Sequence, residues 1–452
     1  MINYKKSIKV TFVGGGSQNW SPTIIRDIIF KPGMERAELE FCLLDLSMER
    51  ARAIEAMFRA NLKAWKIDRV SIQATRDPEA ALTGADFVII AISTGRLETM
   101  RHDIAIPEKY GIYHTVGDTS GPGGWSRALR NIPVFHDYAK QIKNLAPQAY
   151  ILNYTNPMGA LTKVLSDELG RERVVGLCHG LFESYHILQL IFGLKSEQDI
   201  QVRFGGLNHF FWILDFKIKG RDGYALLRKK LRGRNLATLV NRTFRDTMGF
   251  GSNQRLAGEL FEQFGYLTYF GDRHTSEFFC DTMTDKAIMK RFKLVRTPIS
   301  ERSAGYRKAA AQIKTWTAKK SLPATPSRET AADIIHAIAF GSDFTDVINS
   351  VNVGQIDNLP RGAVVETLGR VNAMGFTPFT VGPLPEPIKA LVAPHAEVQM
   401  RTVQAGLAGN MEAALLALIN DPVCAHLPPS DIRKMGLELL RANRKYLPQF
   451  FK

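Results

Sequence analysis

The chain has 452 residues, 45% hydrophobic and 23% charged, a composition expected of a globular protein of two or three lobes. No run of about 18 apolar residues occurs, so no membrane span is expected, and the start, Met1 to Lys6, lacks an apolar leader, so a cytoplasmic protein is expected. The formal charge of +15 is concentrated at sites such as Arg228, Lys229, Lys230, Arg232, Arg234, Lys290, Arg291 and Lys293. No groove-reading motif accompanies it, which argues against nucleic acid and leaves an anionic small molecule open.

In chain order, Ile8 to Gly14 reads as a buried strand that ends in a glycine turn, followed by a helix from Pro22 to Phe30 with Ser21 as its cap. Leu39 to Leu44 is a second strand ending at Asp45, and Met48 to Trp65 a long helix. Further strands are expected at Val70 to Ala74, Asp86 to Ile92, Ala149 to Tyr154 and Val174 to Leu177. This alternation predicts a Rossmann-like, doubly wound parallel α/β sheet over residues 1–195. From about residue 196 the pattern changes. Val202 to Gly206 and Phe210 to Lys219 read as antiparallel strands, residues 295–330 as polar helix with a loop at Ser321 to Pro326, and residues 396–419 as one long helix. A mixed α+β part over 196–452 would complete a lactate/malate dehydrogenase-like architecture. Cys42, Cys178, Cys280 and Cys424 are widely spaced with no CxxC pair, so neither a disulfide framework nor a zinc knuckle is indicated.

The turn Gly14-Gly15-Gly16-Ser17-Gln18-Asn19 fills two of the three glycine places of a dinucleotide fingerprint, with Asn19 at the third. Such glycines let backbone approach a pyrophosphate at a helix N-terminus. Asp45, at the end of the second strand, could bind the adenosine ribose hydroxyls and would repel a 2′-phosphate, favouring NAD over NADP. A plain strand–helix turn and a surface aspartate are the alternatives.

Later segments do not fit a generic dehydrogenase. They are Gly117-Asp118-Thr119-Ser120-Gly121-Pro122-Gly123-Gly124, Asn153-Tyr154-Thr155-Asn156-Pro157-Met158, Gly176-Leu177-Cys178-His179-Gly180, Leu207-Asn208-His209-Phe210 and Gly271-Asp272-Arg273-His274-Thr275-Ser276-Glu277-Phe278, then Val364-Val365-Glu366 and Val381-Gly382-Pro383-Leu384-Pro385. In this order they resemble glycoside hydrolase family 4. The stretch Gly111 to Thr119 resembles that family's α-galacturonidase and α-glucuronidase branch, and His179 stands where the phospho-specific branch tends to carry aspartate.

The resemblance implies an unusual glycosidase, outside the usual two-carboxylate scheme. NAD oxidises the sugar at C3, a base removes the acidified C2 proton beside a divalent metal, the aglycone leaves from C1, and the hydride is returned. It implies Cys178 and His209 as metal ligands, usually to Mn²⁺, and His179 as the acid for the departing oxygen. Asp272 is the first choice of base and Tyr266 its rival. Asn156 would hold sugar hydroxyls, and Asn153 would face the nicotinamide; capping of the helix near Pro157 is the structural alternative for both. Gly14, Gly16, Ser17 and Asp45 would bind the dinucleotide, and Asp118 would contact the sugar. Arg96, Arg273 and His274 would hold a substrate carboxylate. His102 and His114 read as surface or packing residues. The expected partner is a small, anionic glycoside, with no nucleic acid and no membrane, and relatives are often dimers or tetramers. A lactate/malate-type dehydrogenase and a nucleotide-binding protein without chemistry are the competing readings.

Overall fold

The computed structural model describes residues 7–243 and 254–451; the leader expectation for Met1 to Lys6 lies outside them. The strands are β1 (Ser7–Val13), β2 (Glu38–Leu44), β3 (Val70–Thr75), β4 (Phe87–Ile90), β5 (Tyr150–Asn153), β6 (Val174–Gly176), β7 (Ile200–Leu207), β8 (Phe210–Ile218), β9 (Arg221–Asp222), β10 (Leu267–Thr268), β11 (Phe344–Val351), β12 (Val364–Asn372) and β13 (Gly375–Pro378). The first six are parallel, in the order β3-β2-β1-β4-β5-β6. That is the doubly wound order, with its switch point beside β1, and ligands of such sheets bind beyond the carboxyl ends of the strands. The strands read as apolar runs because both faces are covered: Val10, Phe12, Phe41 and Ile89 are fully or nearly fully buried.

The sheet does not stop at β6. It continues antiparallel through β11, β12, β7, β8 and β10. One row of pairings, Gly176 to Asn349, Asn349 to Glu366 and Glu366 to Gly206, links the end of the parallel half to the antiparallel half. That row lies two residues before Cys178 and three before His209. On one face the helix Gly121–Leu145 buries Trp125, Leu129 and Phe135 against C-terminal residues such as Val403, Leu415 and Leu439. On the other, Ile24, Ile28 and Phe58 meet Ile313 and Ile334, so helices from late in the chain cover the early strands.

Two local expectations are corrected. The first helix runs Trp20–Phe30, not from Pro22, and its N-cap is Asn19. Ser21 is inside the helix, its N–H donating to the Ser17 carbonyl at 3.0 Å, and Pro22 is tolerated because first-turn amides have no helical partner. The helix expected over 396–419 is two helices, Glu386–Ala408 and Met411–Ile419. Gly409 breaks it with φ of 64°, and Asn410 starts the next by accepting the Ala413 N–H at 3.0 Å. Among the described residues no helix is long and apolar enough to cross a membrane.

Candidate active site

The glycine turn follows β1 and is pressed between β2 and β4. Gly14 has φ of 89°, and a Cβ there would lie 2.4 Å from the Ala91 carbonyl oxygen. A Cβ on Gly15 would lie 2.5 Å from Leu43 Cα, and one on Gly16 would lie 2.8 Å from Asp45 Oδ2. Only glycine fits this cradle, which is what close approach to a dinucleotide requires. Asp45 anchors it: Oδ2 accepts the Gly16 N–H at 2.9 Å, and Oδ1 accepts Ser47 N–H at 2.7 Å and Arg50 Nη2 at 3.3 Å. The Ser17 N–H closes the turn onto the Gly14 carbonyl at 2.9 Å. Asn153, at the end of β5, is fully buried and commits its amide internally, accepting the Thr155 N–H at 2.8 Å and donating to Thr162 Oγ1 at 3.1 Å. It holds the turn and presents no side-chain atom to an open face. Asn156 differs. Its carbonyl accepts Arg127 Nε at 2.9 Å, while its buried Oδ1 has no partner among the described residues. Neither asparagine caps the helix Met158–Leu169, whose N-cap is Pro157.

His209 occupies the two-residue turn between β7 and β8, with φ of 64°, a conformation rare for a non-glycine residue and usual at functional turns. Its Nδ1 lies 3.0 Å from Thr119 Oγ1, and that hydroxyl donates to Asp118 Oδ1 at 2.9 Å. A hydroxyl has one proton, so Thr119 accepts from His209 Nδ1–H, and the Nε2 lone pair is left bare. The His274 ring stands 4.0 Å from the His209 ring, centre to centre. Asp118, His209 and His274 each offer a ligand atom within 4.8 Å of the others, and His274 Nδ1 is buried with no partner among the described residues. Two imidazoles and one carboxylate make a donor set that fits a divalent ion. Burial opposes charge on Asp118, but His274, Arg127, Arg302 and His209 outweigh it and hold the carboxyl well below its ordinary value. Burial lowers the pKa of His209 and His274, which favours the neutral form that ligates; their pull on Asp118 acts only when they are protonated, whereas that of Arg127 and Arg302 is permanent.

The loop carrying Asp118 is locked by Glu277, which the sequence reading quoted but gave no role. Glu277 Oε1 accepts the N–H groups of Val116 at 2.8 Å and Gly117 at 2.7 Å and lies 3.0 Å from His114 Nδ1. His114 Nε2 accepts the Gly123 N–H at 3.0 Å, so Nδ1 carries the proton and donates to Glu277. His114 thus packs the loop, as a structural histidine does.

Cys178 lies just past β6, where the helix Gly180–Phe192 begins with His179 as its N-cap. Its Sγ accepts the Gly180 N–H at 3.4 Å. It is not in the group of Asp118, His209 and His274, although Asn208, next to His209, hydrogen-bonds it. Burial and the nearby Glu366 raise the thiol's pKa. Asn208 Nδ2 also donates to Glu366 at 2.9 Å, and burial pushes that carboxyl up to about 7. The His179 side chain is half exposed, with Nδ1 3.7 Å from Glu329 and its ring 6.4 Å from Trp20.

The two expected bases sit differently from each other. Asp272 is fully buried, and its oxygens accept the N–H groups of Leu256 and Ala257, both at 3.0 Å, at the start of the helix Arg255–Phe264. The carboxylate is spent on those amides. Tyr266 packs edge-on to Tyr224, 6.1 Å away. The tyrosine at the histidines is Tyr269, whose ring stands 6.0 Å from His209 and which hydrogen-bonds Glu183. Arg96 is exposed and stacks over Tyr306 at 5.4 Å. Arg273 is half-buried, donates to Thr297 Oγ1, and is crowded by Arg302.

A glycine cradle at the switch point, with a histidine–carboxylate cluster beyond the same strand ends, defines a nucleotide-binding α/β protein with a built metal-ligand set. Comparison with known proteins sharpens that class. The family 4 glycosyl hydrolase model matches residues 9–193, and its C-terminal domain model matches residues 204–424. The chain belongs to glycosyl hydrolase family 4, and the protein is a glycosidase. An α-galacturonidase of Thermoanaerobacter italicus is 30% identical over 98% of each chain. The crystal structure of lplD from Bacillus subtilis, 30% identical, superposes with a TM-score of 0.86 over 96% of this chain and 100% of that one. A 6-phospho-β-glucosidase of Thermotoga maritima, solved with manganese, NAD⁺ and glucose-6-phosphate, shares the fold at 22% identity, with a TM-score of 0.78 over 97% of this chain and 99% of that one. Malate dehydrogenase from Plasmodium falciparum shares the fold at 12% identity, with a TM-score of 0.51 over 88% of this chain and 98% of that one.

Proposed function

We propose that the protein is an NAD- and divalent-metal-dependent glycosidase acting on an α-linked uronide, a galacturonide or a glucuronide. The observation that carries this reading is the convergence of Asp118, His209 and His274 within 4.8 Å, with Arg127 and Arg302 facing Asp118. An α-galacturonidase among the relatives supports the substrate class, and the manganese and NAD⁺ of the Thermotoga structure support the cofactors. When bound, NAD supplies a hydride acceptor for the sugar's C3 and the ion draws electron density from the C2 and C3 oxygens.

The chain's own residues divide the remaining work. Residues 1–195 hold the nucleotide on Gly14, Gly16, Ser17 and Asp45. Residues 196–452 complete the metal and sugar sites. His209 would hold the ion, with Cys178 as its partner by the family resemblance, and the closeness of Asp118 and His274 supports them as further ligands. Asn156 offers its buried carbonyl oxygen Oδ1 to a sugar hydroxyl. His179, half exposed and backed by Glu329, donates a proton to the departing oxygen. Tyr269, stacked by His209 and hydrogen-bonded to Glu183, has its pKa raised by burial and by Glu183, and it would take the C2 proton only with the positive charge of a bound ion beside it. Asp272 stabilises the neighbouring helix.

The purified protein is expected to release nitrophenol from a nitrophenyl α-galacturonide or α-glucuronide only with NAD and Mn²⁺, and to incorporate solvent deuterium at C2 of the product. Turnover that survives removal of both cofactors rejects the reading, and a product without deuterium excludes C2 deprotonation. Net accumulation of NADH would favour a dehydrogenase, because the glycosidase returns its hydride.

A further inference from the structure

We infer that Arg302, on the helix Ile299–Lys319, is the residue that reads the acid group of the sugar and makes the enzyme selective for a uronide over its neutral counterpart. The inference rests on the glycosidase reading above and assigns a specificity residue that lies in none of the sequence motifs.

Arg302 enters the site from a helix whose pattern is only polar and amphipathic. Its Nη2 donates to the Val116 carbonyl at 2.9 Å, which fixes the guanidinium against the loop that carries Asp118. Its Nε is buried and has no hydrogen-bond partner among the described residues. A buried donor left unmet is costly, so the site is incomplete without an acceptor there.

The neighbouring groups do not supply one. Glu277 Oε1 takes the Val116 and Gly117 amides at 2.8 and 2.7 Å and faces His114 at 3.0 Å, and its buried Oε2, which has no partner among the described residues, makes no hydrogen bond to Arg302. Asp118 accepts from Thr119 at 2.9 Å and shares a ligand set with His209 and His274. Arg273 faces Arg302 as a like charge, in a half-buried setting where two guanidiniums repel unless an anion lies between them. Arg96, the earlier candidate, is exposed and stacks over Tyr306 at 5.4 Å, one helical turn beyond Arg302. A carboxylate beside Arg302 would accept from the fork that faces it, whereas a hydroxymethyl group would leave the donor unmet. A site built around such a donor rejects the analogue that lacks the acceptor more strongly than a greasy pocket rejects a methylene.

The test compares wild type with Arg302→Gln and Arg302→Lys, each with NAD and Mn²⁺, on nitrophenyl α-galacturonide and α-galactoside. Calorimetric binding of free galacturonate and galactose provides a readout independent of turnover. Wild type is expected to prefer the uronide. Arg302→Gln should lose at least about tenfold more in kcat/KM and in binding for the acid than for the neutral sugar, whose smaller loss reflects the charge removed from beside Asp118; Arg302→Lys, which keeps the charge without the fork, should fall between. Equal losses on both sugars, with an unaltered thermal melt, would mean a structural role and overturn the inference. A Gln variant that still binds galacturonate like wild type overturns it too, while leaving the uronide reading intact. A wild type that neither binds nor cleaves the acid overturns both. Should the Gln variant fail to fold, the ratio of acid to neutral binding in Arg302→Lys decides: a ratio unchanged from wild type rejects the role.

Discussion

The nucleotide end and the histidine cluster are built by opposite means. The glycine turn and Asp45 come from one continuous β–turn–α–β stretch, and their constraints are steric: added Cβ atoms would collide with Ala91, Leu43 and Asp45. The cluster is gathered from a loop at Asp118, a hairpin turn at His209 and a short helix at His274, and its constraints are electrostatic. The first needs only backbone shape. The second needs polar groups to be paired, buried and held by other polar groups, Thr119 and Glu277 among them. Damage at the first end should therefore appear as lost stability or nucleotide affinity, and damage at the second as lost chemistry in a protein that still folds.

The largest expected effect tests that division at His209. His209→Ala should lower turnover by at least about a thousandfold and weaken Mn²⁺ binding by about tenfold or more, with a near-normal melt. A variant that keeps its turnover breaks the assignment. Tyr269→Phe should slow C2 exchange with D₂O by about a hundredfold, whereas Tyr266→Phe should leave it nearly unchanged. The opposite ranking, read by mass spectrometry of the product, would return the base to Tyr266. At the steric end, Gly14→Ala places a Cβ against backbone at positive φ and should cost roughly 2–4 kcal/mol in denaturant unfolding. Gly16→Ala meets side chains of Asp45 and Arg50 instead, so it should fold and lose about tenfold in NAD affinity.

The smallest effect is a pH slope. Burial pushes the carboxyls of Glu183 and Glu366 up to about 7 from an ordinary 4.5. A carboxyl with a raised folded-state pKa makes the folded chain bind more protons than the unfolded one, so stability is greatest below the unfolded value and falls as pH rises through this window. Glu366→Gln should reduce the slope of unfolding free energy against pH between about 5 and 7 by up to one proton. An identical slope in the variant would mean that Glu366 is not part of the effect.

Much of the parallel half was legible because each strand is an apolar run bounded by glycine or an acid, and the order β3-β2-β1-β4-β5-β6 follows from right-handed crossovers. Ordered motifs also pointed to Asp118, His209 and His274, though as a sugar contact, a metal ligand and a carboxylate holder rather than as one set. Two kinds of residue near the cluster carry no signal of their own in the sequence. Tyr269 stands three positions beyond Tyr266, and no local pattern says which of them faces the histidines. Arg302 and Arg127 carry no motif at all, since a guanidinium on a polar helix looks the same whether it meets water or a carboxylate. The long helix over 396–419 was misread for a related reason: the Ala/Leu-rich run holds two glycines, Gly406 inside the helix and Gly409 at its end, and no local pattern says which of them breaks it.

The sequence by itself determined the class of fold and the turn that fits a dinucleotide, because hydrophobic period and glycine placement act over a few residues at a time. Tertiary structure alone decided which polar side chains meet. The row from Gly176 through Asn349 and Glu366 to Gly206 joins distant strands into one sheet, and the hydrogen bonds of Glu277 and Thr119 then orient Asp118 and His209 toward each other. Those contacts depend on directions and distances between groups remote in the chain, which no local pattern of residue types encodes.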